Sequence, residues 1–127
     1  MAKIIIASGP VIVEDRKVLL NKHGDDSFWK FCGGRVEDFE TDLVDNAKRE
    51  VKEEMGIEIE ITNPEPFILH VHKDDKDIIL VHYLAERIGE IVPGVDIREW
   101  KWMDVTNLSN DIGPNIKPTL THFGFIK

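Results

Sequence analysis

The chain has 127 residues, a formal net charge of −8, and 31% charged beside 42% hydrophobic residues, the balance expected of one globular domain over residues 1–127 with an ordinary core. The excess of acid argues against a duplex nucleic-acid binder, which needs cations to displace counterions. A single cysteine rules out an intrachain disulfide and fits a reducing, cytoplasmic setting.

Ile4 to Val13 is an apolar run broken by Ser8, Gly9 and Pro10 and closed by Glu14. It is too short to span a bilayer, lacks the layout of a secretory leader, and reads as a strand. The turn Glu14 to Lys17 joins it to a second strand, Val18 to Leu20, which Lys22 and His23 follow. Phe28 to Cys32 is a short strand ending at the glycine turn Gly33-Gly34. An acidic helix over residues 42–55 comes next, with Thr41 or Asp42 as its cap and Leu43, Ala47 and Val51 as its buried stripe. Ile57 to Ile61 alternates apolar and charged, the mark of a half-buried strand. Phe67 to His72 and Ile78 to Ala85 read as strands around the polar turn Lys73 to Asp77. Glu99 to Met103 is another strand, Asp104 to Leu108 is expected to open a short helix, and Lys117 to Phe123 a terminal one. Mixed strands with two principal helices on opposite faces predict an α/β/α sandwich, and no linker, repeat or low-complexity segment divides the chain.

The most informative stretch is Arg49-Glu50-Val51-Lys52-Glu53-Glu54-Met55-Gly56-Ile57. A helix advances about 100° per residue, so Glu53 and Glu54 fall about 60° and 40° either side of Glu50, one turn further on. Like charges so placed repel, and a divalent cation relieves that repulsion. Hard cations such as Mg²⁺ seek carboxylate oxygens and bind together with substrate phosphates. A solvated acidic face is the alternative for an isolated Glu pair.

The wider spacing decides between them. Gly34-x5-Glu40-x8-Arg49-Glu50-Val51-x-Glu53-Glu54-x-Gly56-Ile57 resembles the signature of the Nudix hydrolases, Gly-x5-Glu-x7-Arg-Glu-aliphatic-x-Glu-Glu-x-Gly-aliphatic. Every fixed position is matched in type, with one extra residue between Glu40 and Arg49. Phe39 stands where the family usually has Gly, and Cys32 where Pro is common. An insertion inside the helix would rotate everything before it by about 100°, so a longer loop at the helix entrance is expected.

The resemblance implies a Nudix α/β/α sandwich with a mixed sheet, and hydrolysis of a phosphoanhydride in a nucleoside diphosphate linked to another moiety. It also implies a Mg²⁺ or Mn²⁺ cofactor held by Glu50, Glu53, Glu54 and the Gly33 carbonyl, with Arg49 orienting the carboxylates. The general base is open: Glu50, or a carboxylate of the loop Pro93 to Glu99, where Asp96 is nearest and Glu99 second. Lys22 and His23 are placed to meet phosphates, and Lys22, Arg35 and Asn115 are the substrate-binding candidates. Asn115, in Gly113-Pro114-Asn115-Ile116-Lys117-Pro118, resembles the purine-reading Asn of MutT-type members, although the spacing differs and an Asn there also suits a helix cap.

Within the Nudix resemblance, the chain carries neither the Pro about fifteen residues beyond the box that marks many ADP-ribose hydrolases nor the Tyr, slightly further on, of many dinucleoside polyphosphate hydrolases. The expected reaction is therefore that of a MutT-type (deoxy)nucleoside triphosphate pyrophosphohydrolase. Hydrolysis of a dinucleoside polyphosphate or ADP-ribose is the alternative within the family, and a nucleotide sensor without turnover the alternative outside catalysis. A nucleotide is the expected partner, with no duplex nucleic acid and no membrane; Nudix proteins often form homodimers. His70, His72 and His82 lack the companions a zinc set requires, and Trp29, Trp100 and Trp102 read as core before base-stacking residues.

Overall fold

The computed structural model describes residues 3–127. Strand β1 (Lys3–Val11) leads through Ile12 into a two-residue strand β2 (Val13–Glu14), which pairs with β3 (Lys17–His23). The expected single strand over 4–13 is thus two. Asp15 and Arg16, both at positive φ (50° and 65°), form the tight turn between β2 and β3, a twist-matched hairpin that local polar side chains tolerate. Short strands β4 (Lys30–Phe31) and β5 (Gly34–Arg35) precede helix α1 (Leu43–Met55). Strand β6 (Glu58–Ile61) is followed by β7 (Phe67–Lys73) and β8 (Lys76–Ile88), whose hairpin turn is only Asp74-Asp75. The polar turn expected over 73–77 is therefore largely strand. After β9 (Ile97–Asp104) comes α2 (Ile116–His122).

The strands form two sheets. In one, β1 runs parallel to β8, with β5 antiparallel on β1 and with β7 and β6 antiparallel to successive parts of β8. In the other, β3 pairs with β2, β4 and β9, all antiparallel. Alternation assigns neighbouring residues to opposite faces. Val11, Val18, Leu20, Phe31 and Leu84 pack with Ile116 and Leu120 of α2. Ile12, Leu19, Cys32 and Ala85 pack with Val51 and Met55 of α1. Each helix thus closes one of two hydrophobic clusters of the α/β/α sandwich.

Helix α1 begins where Asp42 accepts the Asp45 N–H at 2.8 Å, and ends at Gly56, whose φ of 69° only glycine adopts cheaply. Of the two expected caps, Asp42 does the work. The helix expected at Asp104 to Leu108 is absent: the Asp104 carboxylate accepts the Thr106 N–H at 2.8 Å and the Thr106 hydroxyl at 2.7 Å, closing an Asx turn instead. No helix among the described residues is long and apolar enough to cross a membrane.

Candidate functional site

Helix α1 presents one polar face to the glycine segment. Asn46, buried at its root, donates to the Ser8 hydroxyl at 2.9 Å and to the Gly34 carbonyl at 3.1 Å, while Ser8 donates to the Leu43 carbonyl. Arg49 donates to Asn46 Oδ1 at 2.9 Å, pairs with Glu50 at 3.0 Å and meets Glu53 at 3.1 Å. One guanidinium so spans two carboxylates and a buried amide.

The three glutamates do not converge on one point. The 100° step between Glu53 and Glu54 turns one outward and the other inward. Glu53 keeps 59% of its side-chain exposure, and Glu54 only 5%. Glu54 is held by both oxygens: Gly33 N–H donates to Oε1 at 2.7 Å, and His23 Nε2 lies 2.5 Å from Oε2. That contact raises the His23 pKa, against the opposing effect of burial. Glu50 lies between the others, against the Gly34 backbone, where an added Cβ would overlap its carboxylate. Burial raises the Glu50 pKa, Arg49 opposes the shift, and Glu53 and Glu54 add to it.

Gly33 itself sits at φ +135°, its Cα packed against Gly9 and Ser8 so closely that no side chain fits. Its peptide N–H is the group turned toward Glu54.

These residues suit a hard divalent ion by their chemistry: the donors are carboxylate oxygens on one helix face, beside glycines that admit no side chain. They do not form a finished cage. Among the described residues no group of three or more His, Cys, Asp or Glu side chains is already arranged to hold a metal, because each glutamate is turned onto a cationic or N–H partner.

A cleft of about 570 Å³ opens beside Glu50, walled by Glu37, Asp38 and Thr41 of the loop before α1 and by Asn46, Arg49 and Glu50 of the helix. Between Glu40 and Arg49 only Thr41 and Asp42 lie outside the helix, and Leu43 to Met55 is unbroken, as expected if the extra residue falls at the helix entrance. Glu40 is exposed in the turn, its N–H on Asp38 Oδ1.

The loop from Gly89 to Asp96 closes the far end of α1. Val92 N–H donates to the Met55 carbonyl at 2.8 Å and Gly94 N–H to the Glu54 carbonyl at 2.7 Å, serving two of the carbonyls a helix end leaves unpaired. Asp96 follows in an exposed turn that the Ile97 N–H to Gly94 carbonyl bond closes at 3.1 Å. Glu99, on β9, instead faces Lys22 at 4.0 Å and Arg98 at 3.4 Å.

Lys22 and His23 point to opposite faces, as strand alternation requires. His23 meets the carboxylate helix; Lys22 does not. Its ammonium lies 3.5 Å from Asp111 and 4.7 Å from the centre of the Trp29 ring. Arg35 is exposed on β5, opposite Ala7. Asn115 stands at the start of α2 but makes no capping bond with its side chain. Its amide Nδ2 lies 3.0 Å from Nε2 of His82, whose ring packs tilted against Phe31, centroids 4.7 Å apart. Burial lowers the His82 pKa to about 4, so the imidazole is neutral at pH 7. His70 and His72 instead share Asp77 Oδ1, at 2.7 and 3.0 Å, so the three histidines form no common set. Trp29 is core, as expected, while Trp100 stays 36% exposed.

Asn46 and Gly94 are the site neighbours that residue types alone leave unmarked, and His23, expected to meet phosphates, meets Glu54 instead. Asn46 carried a signal, being a polar residue four before Glu50 on the same helix face.

A carboxylate helix laid against a glycine segment inside an α/β/α sandwich is the layout of a hydrolase built around the Nudix box. The comparisons agree. The sequence matches the NUDIX domain family model over residues 5–123, and the chain therefore belongs to the Nudix family, as a hydrolase acting on nucleoside diphosphate derivatives.

Among solved structures, a MutT NUDIX hydrolase from Burkholderia pseudomallei superposes with a TM-score of 0.80 at 20% identity, covering 94% of this chain and 97% of that one. An Ap4A hydrolase from C. elegans does so with a TM-score of 0.79 at 22% identity, covering 94% of each. The E. coli ORF135 protein gives 0.78 at 24% identity, covering 96% of this chain and 89% of that one. At such identities these likenesses show the fold. No curated protein matches the sequence significantly.

Proposed function

We propose that the chain is a Mg²⁺- or Mn²⁺-dependent pyrophosphohydrolase that converts a (deoxy)nucleoside triphosphate to the monophosphate and pyrophosphate in the cytoplasm. The observation that carries this reading is the complete carboxylate set on α1, with Glu54 clamped between the Gly33 N–H and His23. Glu50, Glu53 and Glu54, with the Gly33 carbonyl, would hold the cation, which neutralises phosphate charge and acidifies a bound water. A sensor without turnover has no need to keep all three glutamates, so the set favours the enzyme.

The chain's own residues then divide the work. Arg49 holds Glu50 and Glu53 in place through charge-assisted bonds, anchored on buried Asn46. Asp96, in the loop tied to the end of α1, takes the proton of the attacking water; Glu50, whose pKa burial raises, is the second candidate for that role. Arg35 and Lys22 would meet phosphates, Lys22 only after leaving Asp111. Asn115 would read the base edge, its side chain not being spent on capping α2, but only after its amide leaves His82, 3.0 Å away.

Neighbouring structures include enzymes described as an Ap4A hydrolase, a UDP-X diphosphatase and an ADP-ribose pyrophosphatase, so the substrate panel must span them. Purified protein with Mg²⁺ should be offered canonical and oxidised (d)NTPs, dinucleoside polyphosphates, ADP-ribose and UDP-sugars. Released phosphate is read after coupling to pyrophosphatase for triphosphates and to phosphatase for the others. Turnover of triphosphates supports the proposal, and turnover confined to another group replaces it. Nucleotide binding without turnover of any substrate would put the sensor first.

A further inference from the structure

His23 owes its position to an irregularity in the sheet. The pairing of β3 with β9 runs Lys22 to Glu99 and then His23 to Ile97, leaving Arg98 as the extra residue of a bulge. Bulges re-aim side chains and recur beside active sites. The chain beyond is fastened from several sides. His23 N–H donates to Asp26 Oδ2 at 2.9 Å, Asp26 N–H returns to the His23 carbonyl at 2.8 Å, and Lys30 pairs with Asp26 at 3.0 Å. Arg98, freed by the bulge, donates to the carbonyls of Gly24 and Asp26. The imidazole delivered by this framework reaches Glu54, 31 residues away in sequence.

We propose that His23 is a positioning residue of the hydrolytic site. Together with the Gly33 N–H it grips both oxygens of Glu54, fixing the orientation of the one inward carboxylate on α1 for the divalent cation. Glu50 and Glu53 share Arg49 and are set by it; Glu54, on the far side of the helix face, has no such cation and uses His23 instead. The inference rests on the assignment of Glu54 as a metal ligand under the function proposed above. Partners of this kind commonly change metal affinity or activity by about 10- to 100-fold when removed.

The test is Mn²⁺ binding, followed by electron paramagnetic resonance on purified protein without nucleotide, beside unfolding curves. His23→Leu, which has no N–H, should weaken Mn²⁺ binding by about 10- to 100-fold, with the nucleotide KM at saturating metal unchanged. His23→Gln, which restores a donor, should recover most of the affinity. A lowered melting temperature with Mn²⁺ affinity within about threefold of wild type would reduce the contact to a structural one and overturn the proposal.

If His23→Leu does not fold, the wild-type protein supplies the reading. The imidazole ¹⁵N resonances of His23 should move on Mg²⁺ addition and saturate with the binding curve, and resonances that stay still would overturn it. Glu54→Gln separates the two levels. Wild-type Mn²⁺ affinity in that variant would remove Glu54 from the metal site and the underlying assignment with it.

Discussion

Gly94 links helix chemistry to loop placement, and replacing it by alanine should damage both. An added Cβ overlaps the Glu53 carbonyl oxygen, and the Glu54 carbonyl lies 3.6 Å away. Both are backbone atoms in the last turn of α1, so neither can swing aside as a side chain would. The loop must lift. Lifting loosens the bonds from Gly94 N–H to the Glu54 carbonyl and from Val92 N–H to the Met55 carbonyl, 2.7 and 2.8 Å long. Each is worth roughly 0.5–1.5 kcal/mol net, and overpacking of this kind costs roughly 1–3 kcal/mol in total. The expected loss is therefore about 2–3 kcal/mol.

With an unfolding entropy of about 2.1 cal/mol/K per residue, a chain of 127 residues loses about 4 °C per kcal/mol, so Tm should fall by about 8–11 °C. The same lift displaces the Gly94-to-Ile97 turn that carries Asp96, and a misplacement of about 1 Å can cost about 100-fold in rate. The assay pairs thermal unfolding with steady-state kinetics, using Val95→Ala as control because Val95 is fully exposed in the same turn. Gly94→Ala with a Tm within 2 °C of Val95→Ala, a margin of about 0.5 kcal/mol, and unchanged kcat would refute the reasoning.

Other outcomes follow from the same geometry. Glu53→Gln should abolish Mg²⁺-dependent hydrolysis while leaving the far-ultraviolet circular dichroism and Tm nearly unchanged, since the side chain is 59% exposed; near-normal turnover would sink the metal assignment. Asp96→Asn should lower kcat by about 100- to 10,000-fold with little change in KM if Asp96 is the base, and a mild effect there with a severe one in Glu50→Gln would transfer the role. His82 titrates near 4 when folded and near 6.5 when unfolded, so the unfolded chain binds the extra proton first as pH falls. Its contribution is complete above pH 6.5 and is lost between 6.5 and about 4, by up to about 3 kcal/mol. Urea unfolding across that range should show a shallower loss in His82→Phe than in wild type, and parallel curves would contradict it.

The parts legible in the sequence were those encoded by short-range pattern. The acidic helix announces itself through Asp42, the apolar spacing of Ala47, Val51 and Met55, and the closing Gly56, all within one segment. The alternating Ile57, Ile59 and Ile61 did the same for β6. What stayed hidden depends on which strand lies beside which. His23 and Glu54 are 31 residues apart and His82 and Asn115 are 33 apart, so register, not composition, brings them together. Polar strand ends hid as well: Lys22 and His23 belong to β3 because β9 pairs with them, although no apolar alternation marks them. The missing helix at Asp104 shows the reverse failure, where one carboxylate captured a nearby N–H before a helix could use it.

The extra residue in the box shows how such a site tolerates change. Leu43 to Met55 is an unbroken helix, so Asn46, Arg49, Glu50, Glu53 and Glu54 keep the angular relations that 3.6 residues per turn impose. An extra residue costs least at the helix entrance, in a turn whose closure cost grows slowly with residues. There Asp38 accepts the Glu40 N–H and its carbonyl the Thr41 N–H, making a compact turn with Phe39 73% exposed. That turn supplies one wall of the cleft, and Asn46, Arg49 and Glu50 of α1 supply the other. The two walls are therefore separable: residues 37–41 can alter what enters beside Glu50 while the carboxylates, fixed by helix geometry and by the Arg49, Gly33 and His23 contacts, stay as they are.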